Sequence, residues 1–273
     1  MRQHQLAINS ISTRHAGLEE AVDAYAAAGF RQVEFHLPLV KAWLSEGRTT
    51  ADVVALLERI GLRAIGGFEL PIMGFAPDAE QRDNHRRQRE NARLIHELGG
   101  GTLVVGMDGP ATPSVEALPV LAEAIRGFAD SIAELDVVVA LEFNWGPLVK
   151  SLASAVAVCE MVDRPDVGIL FDPAHFYCTV TKLEDLDERS IPWICHVHVD
   201  DMRDEPGELS NCNSDRVLPG EGILDLPALI GRIEAGGYTG AFSIEMFSDD
   251  LWEMPAQEAA ERCHRSLIPL CEV

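Results

Sequence analysis

The sequence predicts an α/β protein, a (β/α)8 TIM barrel folded as a single domain over residues 1–273. Three observations carry this. Short β-branched or aliphatic runs alternate eight times with amphipathic, Ala-rich stretches, the signature of βαβ units around a parallel sheet. The 273 residues give about 34 per unit, in keeping with the roughly 250 residues of this architecture. No linker or low-complexity segment divides the chain, and no Gly-rich phosphate loop follows the first run, as a doubly wound open sheet would carry.

The elements follow in order. LAIN (6–9) opens as strand one. EEAVDAYAAAGF reads as a helix ending on Gly and leads into QVEFH (32–36). ADVVALLERIG (51–61) precedes LRAIGGFE (62–69), and DNHRRQRENARLIHELGG (83–100) precedes TLVVGM (102–107). PVLAEAIRGFADSIAEL (119–135) leads to VVVALEFN (137–144), and SAVAVCEMV (154–162) to VGILFDP (167–173). A weaker helix over KLEDLDERS (182–190) precedes WICHVHVDD (193–201). LPALIGRIEAGG (226–237) precedes AFSIEMF (241–247), and AQEAAERCHRSLIPL (256–270) closes the chain as a helix. The longest stretch without periodicity, 201–222, follows strand seven, so in a barrel it lies over the C-terminal mouth; loops of that length are usually functional.

Charge narrows the function. A net charge of −22 repels phosphate backbones and anionic headgroups, which disfavours nucleic-acid and membrane-surface partners. Six cysteines without a CxxC pair read as reduced thiols. The N-terminal MRQHQLAINSIST has no apolar core of a signal peptide and no run of about 20 apolar residues occurs, so a cytoplasmic protein is expected.

Chemistry gathers at four consecutive strand ends. Glu142, Asp172, His198 and Glu245 end strands five to eight, and adjacent strand ends of a barrel converge on one mouth. Three carboxylates with one imidazole suit one divalent ion, Mn²⁺ first, with Mg²⁺, Co²⁺ or Zn²⁺ as alternatives. Strand parity places Ala140, Glu142 and Asn144 on one face, and His196 on the face of His198 one layer deeper, where it orients a ligand carboxylate. Its neighbours Cys195 and Val197 are then expected to pack outward. Glu34, Glu69 and His36 are weaker candidates for substrate contact. Trp145, next to Asn144, is the tryptophan best placed to line a pocket, and the basic run HRRQR (85–89) reads as a solvated helix face.

ALEFN, FDPAHF, HVHVDD, RVLPGEG and FSIEMF, in that order, resemble the xylose isomerase-like TIM-barrel superfamily of sugar isomerases and epimerases. That group includes ketose 3-epimerases, hydroxypyruvate isomerase, inosose dehydratases and, more distantly, endonuclease IV. The resemblance spans about residues 5–270 and is strongest over 137–247. It implies that Glu142, Asp172, His198 and Glu245 bind the metal and that Glu142 and Glu245 act as acid and base on opposite faces of the substrate. It implies substrate contact by His175 and by an arginine, with Arg216 favoured over Arg203 because it stands before the PGEG turn. Asn144 and Trp145 complete the expected substrate site. Homodimers or homotetramers are the habit of the family.

The expected function is thus metal-dependent isomerisation or epimerisation of a small, unphosphorylated sugar or keto-sugar, through carboxylate-mediated proton transfer and a metal-stabilised enediolate. An inosose dehydratase-like elimination, a metal-dependent hydrolase or nuclease, and a non-catalytic accessory barrel are the alternatives.

Overall fold

A computed structural model describes residues 1–271. Eight parallel strands close into a barrel: β1 Leu6–Asn9, β2 Gln32–His36, β3 Arg63–Phe68, β4 Thr102–Val105, β5 Val138–Glu142, β6 Val167–Phe171, β7 Ile194–Val199 and a last strand, β10, at Phe242–Ile244. Their order around the barrel is β1-β10-β7-β6-β5-β4-β3-β2. Each lies inside a run that the sequence marks as a strand.

The period of two separates an outer core, shared with the helices, from the barrel interior. On β5, Val139 and Leu141 face outward into the large cluster shared with the helices, while Ala140 joins Val104 and Leu170 in a small plug inside the barrel. Phe68 packs against this plug. Polar side chains form the next layer up, so the apolar plug closes the barrel beneath the mouth.

The helices are α1 Leu18–Ala28, α2 Leu37–Leu44, α3 Thr50–Ile60, α4 Asp78–Glu97, α5 Leu118–Asp130, α6 Leu152–Val162, α7 Pro173–Cys178, α8 Leu226–Ala235, α9 Asp249–Trp252 and α10 Ala256–Leu267. Local chemistry sets their ends. Thr49 and Asp52 form a capping box that starts α3, and Gly61, at φ 72°, ends it in the left-handed conformation.

The segment 182–190, expected as a helix, forms only a 3-10 turn at Leu183–Asp185. Its carboxylates bond their own backbone instead: Asp185 Oδ2 accepts from Lys182 N, and Asp187 Oδ1 accepts from Arg189 N and Ser190 N. Such local bonds compete with the helical ladder. The helical mass of that crossover sits earlier, in α7, whose Pro173 follows the N-cap Asp172. The short helices α2 and α9 are likewise absent from the sequence pattern: α2 directly adjoins the end of β2, and α9 is a single turn of four residues.

The loop over 201–222 is ordered around one side chain. It holds a small antiparallel pair, β8 Asp201–Met202 and β9 Arg216–Val217. The buried Asp201 carboxylate accepts backbone N–H groups from Met202, Gly220, Gly222 and Leu224 at 2.9–3.1 Å. A side chain at Gly222 would collide with that carboxylate and with the Met202 carbonyl, which explains the glycine. Among the described residues no helix is long and apolar enough to cross a membrane.

Candidate metal centre and active site

Four strand ends converge as the sequence implies. Glu142 is the last residue of β5, Asp172 follows β6 and caps α7, His198 lies on β7, and Glu245 follows β10. One donor atom from each lies within 4.8 Å of every other. His198 Nδ1 is 3.2 Å from both Asp172 Oδ2 and Glu245 Oε2. Asp172, His198 and Glu245 are buried, while the Glu142 side chain keeps 19% of its surface open to the mouth.

A second layer holds the first. Glu34, wholly buried on β2, reaches across the barrel to β7. Its Oε2 lies 3.1 Å from His198 Nε2 and 3.1 Å from His196 Nε2. A buried anion shared by two imidazoles assigns a proton to each Nε2. His198 Nδ1 is then the nitrogen that faces Asp172 and Glu245, where a metal ion would take the place of its proton, the carboxylate–histidine arrangement of metal sites. His196 therefore orients Glu34 rather than a carboxylate of the four, contrary to expectation. Nor does Cys195 pack outward: the register shift between β6 and β7 at Ile169/Leu170 turns it onto the Val104, Ala140, Leu170 plug. Glu34 has no route to substrate. Asn9, at the end of β1, fixes Glu245 by donating from Nδ2 to Oε1 at 3.0 Å.

Arg216 arrives on β9 and is buried in the site. Its Nη1 donates to Asp200 Oδ2 at 2.7 Å and Glu245 Oε2 at 2.9 Å, and its Nε donates to the Cys212 carbonyl at 2.7 Å. Nη2 stands 3.1 Å from Asp172 Oδ2. Arg203, by contrast, is exposed, 4.0 Å from Asp215. His175 Nε2 lies 3.3 Å from Glu142 Oε1. His175 Nδ1 is a buried polar atom without a hydrogen-bond partner among the described residues, a nitrogen left for an oxygen-rich ligand, while Arg216 Nη2 makes no hydrogen bond of good geometry and keeps its ion-pair contact with Asp172.

The cluster opens into a cavity of about 230 Å³ that Glu142, Glu245, His175, Arg216 and Asn144 line. That is below the roughly 300–1,000 Å³ of pockets for drug-sized ligands, so a smaller molecule fits. Asn213 and Glu69 also line it. Trp145 does not. The chain turns after Asn144, whose Oδ1 accepts from Gly146 N, and the indole swings outward to donate to the Cys178 carbonyl at 3.0 Å. It remains 53% exposed. His36 stacks beside Phe68 with ring centroids 5.1 Å apart.

Electrostatics follow from burial and from this crowding. Burial opposes the charge on Asp172, but Arg216 and His175 outweigh it and hold the carboxyl well below its usual range. Burial likewise opposes the charges on Glu142 and His175. His175 lowers Glu142 in spite of it, and Asp172 together with Glu142 raises His175 well above an ordinary histidine. His198 is raised by Glu245 and Glu34 against its own burial. Three carboxylates with one imidazole nitrogen make an oxygen-rich donor set. Burial, with Asp172 nearby, pushes the Asp200 carboxyl well above its usual range, so the Arg216 charge is shared by Asp172 and Glu245, and the crowded carboxylates of the cluster fit a divalent cation.

A closed parallel barrel with carboxylates and an imidazole gathered at its C-terminal mouth defines a TIM barrel with a candidate metal centre. The chain belongs to the xylose isomerase-like TIM barrel family, whose model matches residues 22–267. An inosose isomerase of Bacillus licheniformis is 30% identical over 200 residues, 68% of this chain and 71% of that protein. Across the inosose isomerases it matches, the chain spans 43 to 71% of their length. A 3-dehydroshikimate dehydratase of Pseudomonas aeruginosa is 27% identical over 93% of this chain, which spans 40% of that longer protein. Among solved structures, an IolI protein with a bound zinc atom superposes with a TM-score of 0.88 at 19% identity, covering 97% of both chains, which shows the shared fold.

Proposed function

We propose that the protein is a divalent-metal-dependent isomerase or epimerase of a small sugar or keto-polyol, acting by proton transfer next to a carbonyl. The observation that carries this is the convergence of Glu142, Asp172, His198 and Glu245 on one cavity. The relatedness to inosose isomerases supports it.

Glu142, Asp172, His198 and Glu245 would hold the ion, Mn²⁺ by preference for this donor set, and when bound it supplies Lewis-acid polarisation of a substrate carbonyl. The protein's own groups do the rest. Glu142 and Glu245 stand on β5 and β10, separated by β6 and β7 around the barrel, so they approach a substrate in the cavity from different sides. One carboxylate takes the proton from the carbon next to the carbonyl, and the other returns a proton. Return to the opposite face of the same carbon inverts it; return to the former carbonyl carbon, with the proton of the neighbouring hydroxyl passing to the former carbonyl oxygen, exchanges the positions of carbonyl and hydroxyl. Asn9 and Arg216 hold Glu245 in place, and His175 holds Glu142. His175 Nδ1, without a hydrogen-bond partner among the described residues, donates to a substrate oxygen, and Arg216 lines the cavity beside it.

One observation favours a second reading. His175 Nε2 lies 3.3 Å from Glu142 and its buried Nδ1 has no hydrogen-bond partner among the described residues, so a proton on Nδ1 is placed to assist departure of a hydroxyl as water. This is dehydratase chemistry, and a 3-dehydroshikimate dehydratase is among the relatives. Product analysis separates the two. Mn²⁺-loaded protein is incubated with ketoses, aldoses and inososes, and the products are resolved by NMR and mass. An isomer of unchanged mass supports the proposal; a product lighter by one water replaces it with elimination.

A further inference from the structure

Glu69 lines the same cavity, yet its carboxylate does not belong to the Glu142, Asp172, His198, Glu245 cluster. It follows Phe68 at the end of β3, and its side chain is 14% exposed. The Lys41 ammonium, on α2, donates to Glu69 Oε2 and also, at 2.6 Å, to Asn91 Oδ1 on α4. Asn91 is itself fixed by donating to Gln88 Oε1 at 2.8 Å. Oε1 of Glu69 has no hydrogen bond to protein among the described residues, and its cavity neighbours Phe68, Leu70 and Pro71 are apolar. A carboxylate held from behind, with one oxygen free and little competing water, is an acceptor waiting for donors.

Its chemistry decides which donors. Oε1 is a carboxylate oxygen with no proton to give, so a phosphate or carboxylate placed against it meets like charge and no hydrogen bond, whereas a hydroxyl donates to it.

We propose that Glu69 is a specificity-determining residue: it accepts hydrogen bonds from hydroxyls of a neutral polyhydroxylated substrate, and the cavity rejects substrates that carry phosphate or carboxylate. This rests on the cavity being the substrate site of the proposed isomerase. Lys41, through its ion pair, is the positioning residue for Glu69.

Calorimetry on Mn²⁺-loaded protein tests it with three probes: myo-inositol, myo-inositol 1-phosphate and 3-dehydroshikimate. Wild-type protein is expected to bind myo-inositol at least tenfold more tightly than either anion. Glu69→Gln, of the same shape without the charge, is expected to lose about tenfold or more of the myo-inositol affinity, as for a lost charge-assisted hydrogen bond, and to narrow the discrimination. Glu69→Asp is expected to fall between the two, and thermal melts confirm folding of each variant. Wild-type affinity in Glu69→Gln overturns the proposal. So does tight binding of either anion by the wild-type protein, or failure of the wild-type protein to bind myo-inositol. Myo-inositol has no carbonyl, so its binding is independent of turnover. Glu69-dependent binding without isomerisation of any ketone supports this inference and removes the isomerase; isomerisation with unchanged Glu69→Gln affinity does the reverse.

Discussion

Replacing Glu34 by glutamine should weaken metal binding although Glu34 lies outside the Glu142, Asp172, His198, Glu245 cluster and does not line the cavity. In the wild-type protein one oxygen, Oε2, lies 3.1 Å from the Nε2 of both His196 and His198. Glu34 Oε1 also lies 3.3 Å from His198 Nε2, so both carboxylate oxygens face that ring. The side-chain amide introduced by Glu34→Gln would place its NH2 at one of these two positions, whichever way it turns. His198 Nε2 must then face a donor, and relief comes from moving its proton to Nδ1. On His198 that proton would lie in the 3.2 Å space toward Asp172 and Glu245, where the lone pair is needed. Loss of such an outer carboxylate costs about 10–100-fold in metal affinity, or roughly 1.4–2.7 kcal/mol. Titration calorimetry of Mn²⁺ into metal-depleted wild-type and Glu34→Gln protein reads this directly, with a thermal melt to confirm folding. Affinity within about twofold of wild type in a folded variant would refute the idea that Glu34 sets the tautomer of His198.

Other substitutions probe the remaining parts of the account. Glu142→Gln and Glu245→Gln should each lower turnover by about 10²–10⁴-fold in a folded barrel, measured as steady-state kcat on the substrate found by product analysis. His175→Ala should lower turnover or substrate affinity while metal content, read by elemental analysis, stays near wild type; loss of the metal would instead make His175 part of the ion's support. Asp201→Ala strips the acceptor from four backbone N–H groups in a buried place, so it should cost at least ~3 kcal/mol in urea unfolding and expose the 203–215 segment to proteolysis. Unchanged stability there would show that β9, and with it Arg216, is held by other contacts.

The barrel and the four cluster residues are readable from sequence for one physical reason: both are written in local patterns. Alternation of short apolar runs with amphipathic helices specifies the strands, and an acid or histidine at a strand end is placed by the fold itself. Glu34 is different. It sits mid-pattern in QVEFH, and its partners His196 and His198 lie 162 and 164 residues away, so nothing local reveals its role. Asn9 and Asp200 are hidden in the same way. Trp145 shows the opposite error: adjacency to Asn144 suggests a pocket residue, but a tight turn at Gly146 sends the ring outward. Cys195 escapes strand parity because a register shift interrupts the pleat. The segment 182–190 carries helical spacing, yet its Asp side chains satisfy their own backbone.

Solvent exchange tests the central claim most directly. Mn²⁺-loaded wild-type protein and the Glu142→Gln and Glu245→Gln variants are incubated in D2O with a panel of ketoses, aldoses and inososes, and C–H signals are followed by NMR. The account predicts loss of the proton on a carbon next to a carbonyl with wild-type protein, and strong slowing in both variants with the metal still bound. Exchange at wild-type rates in either variant, or product formation by wild-type protein with every such proton retained, would contradict carboxylate-mediated proton transfer at this site.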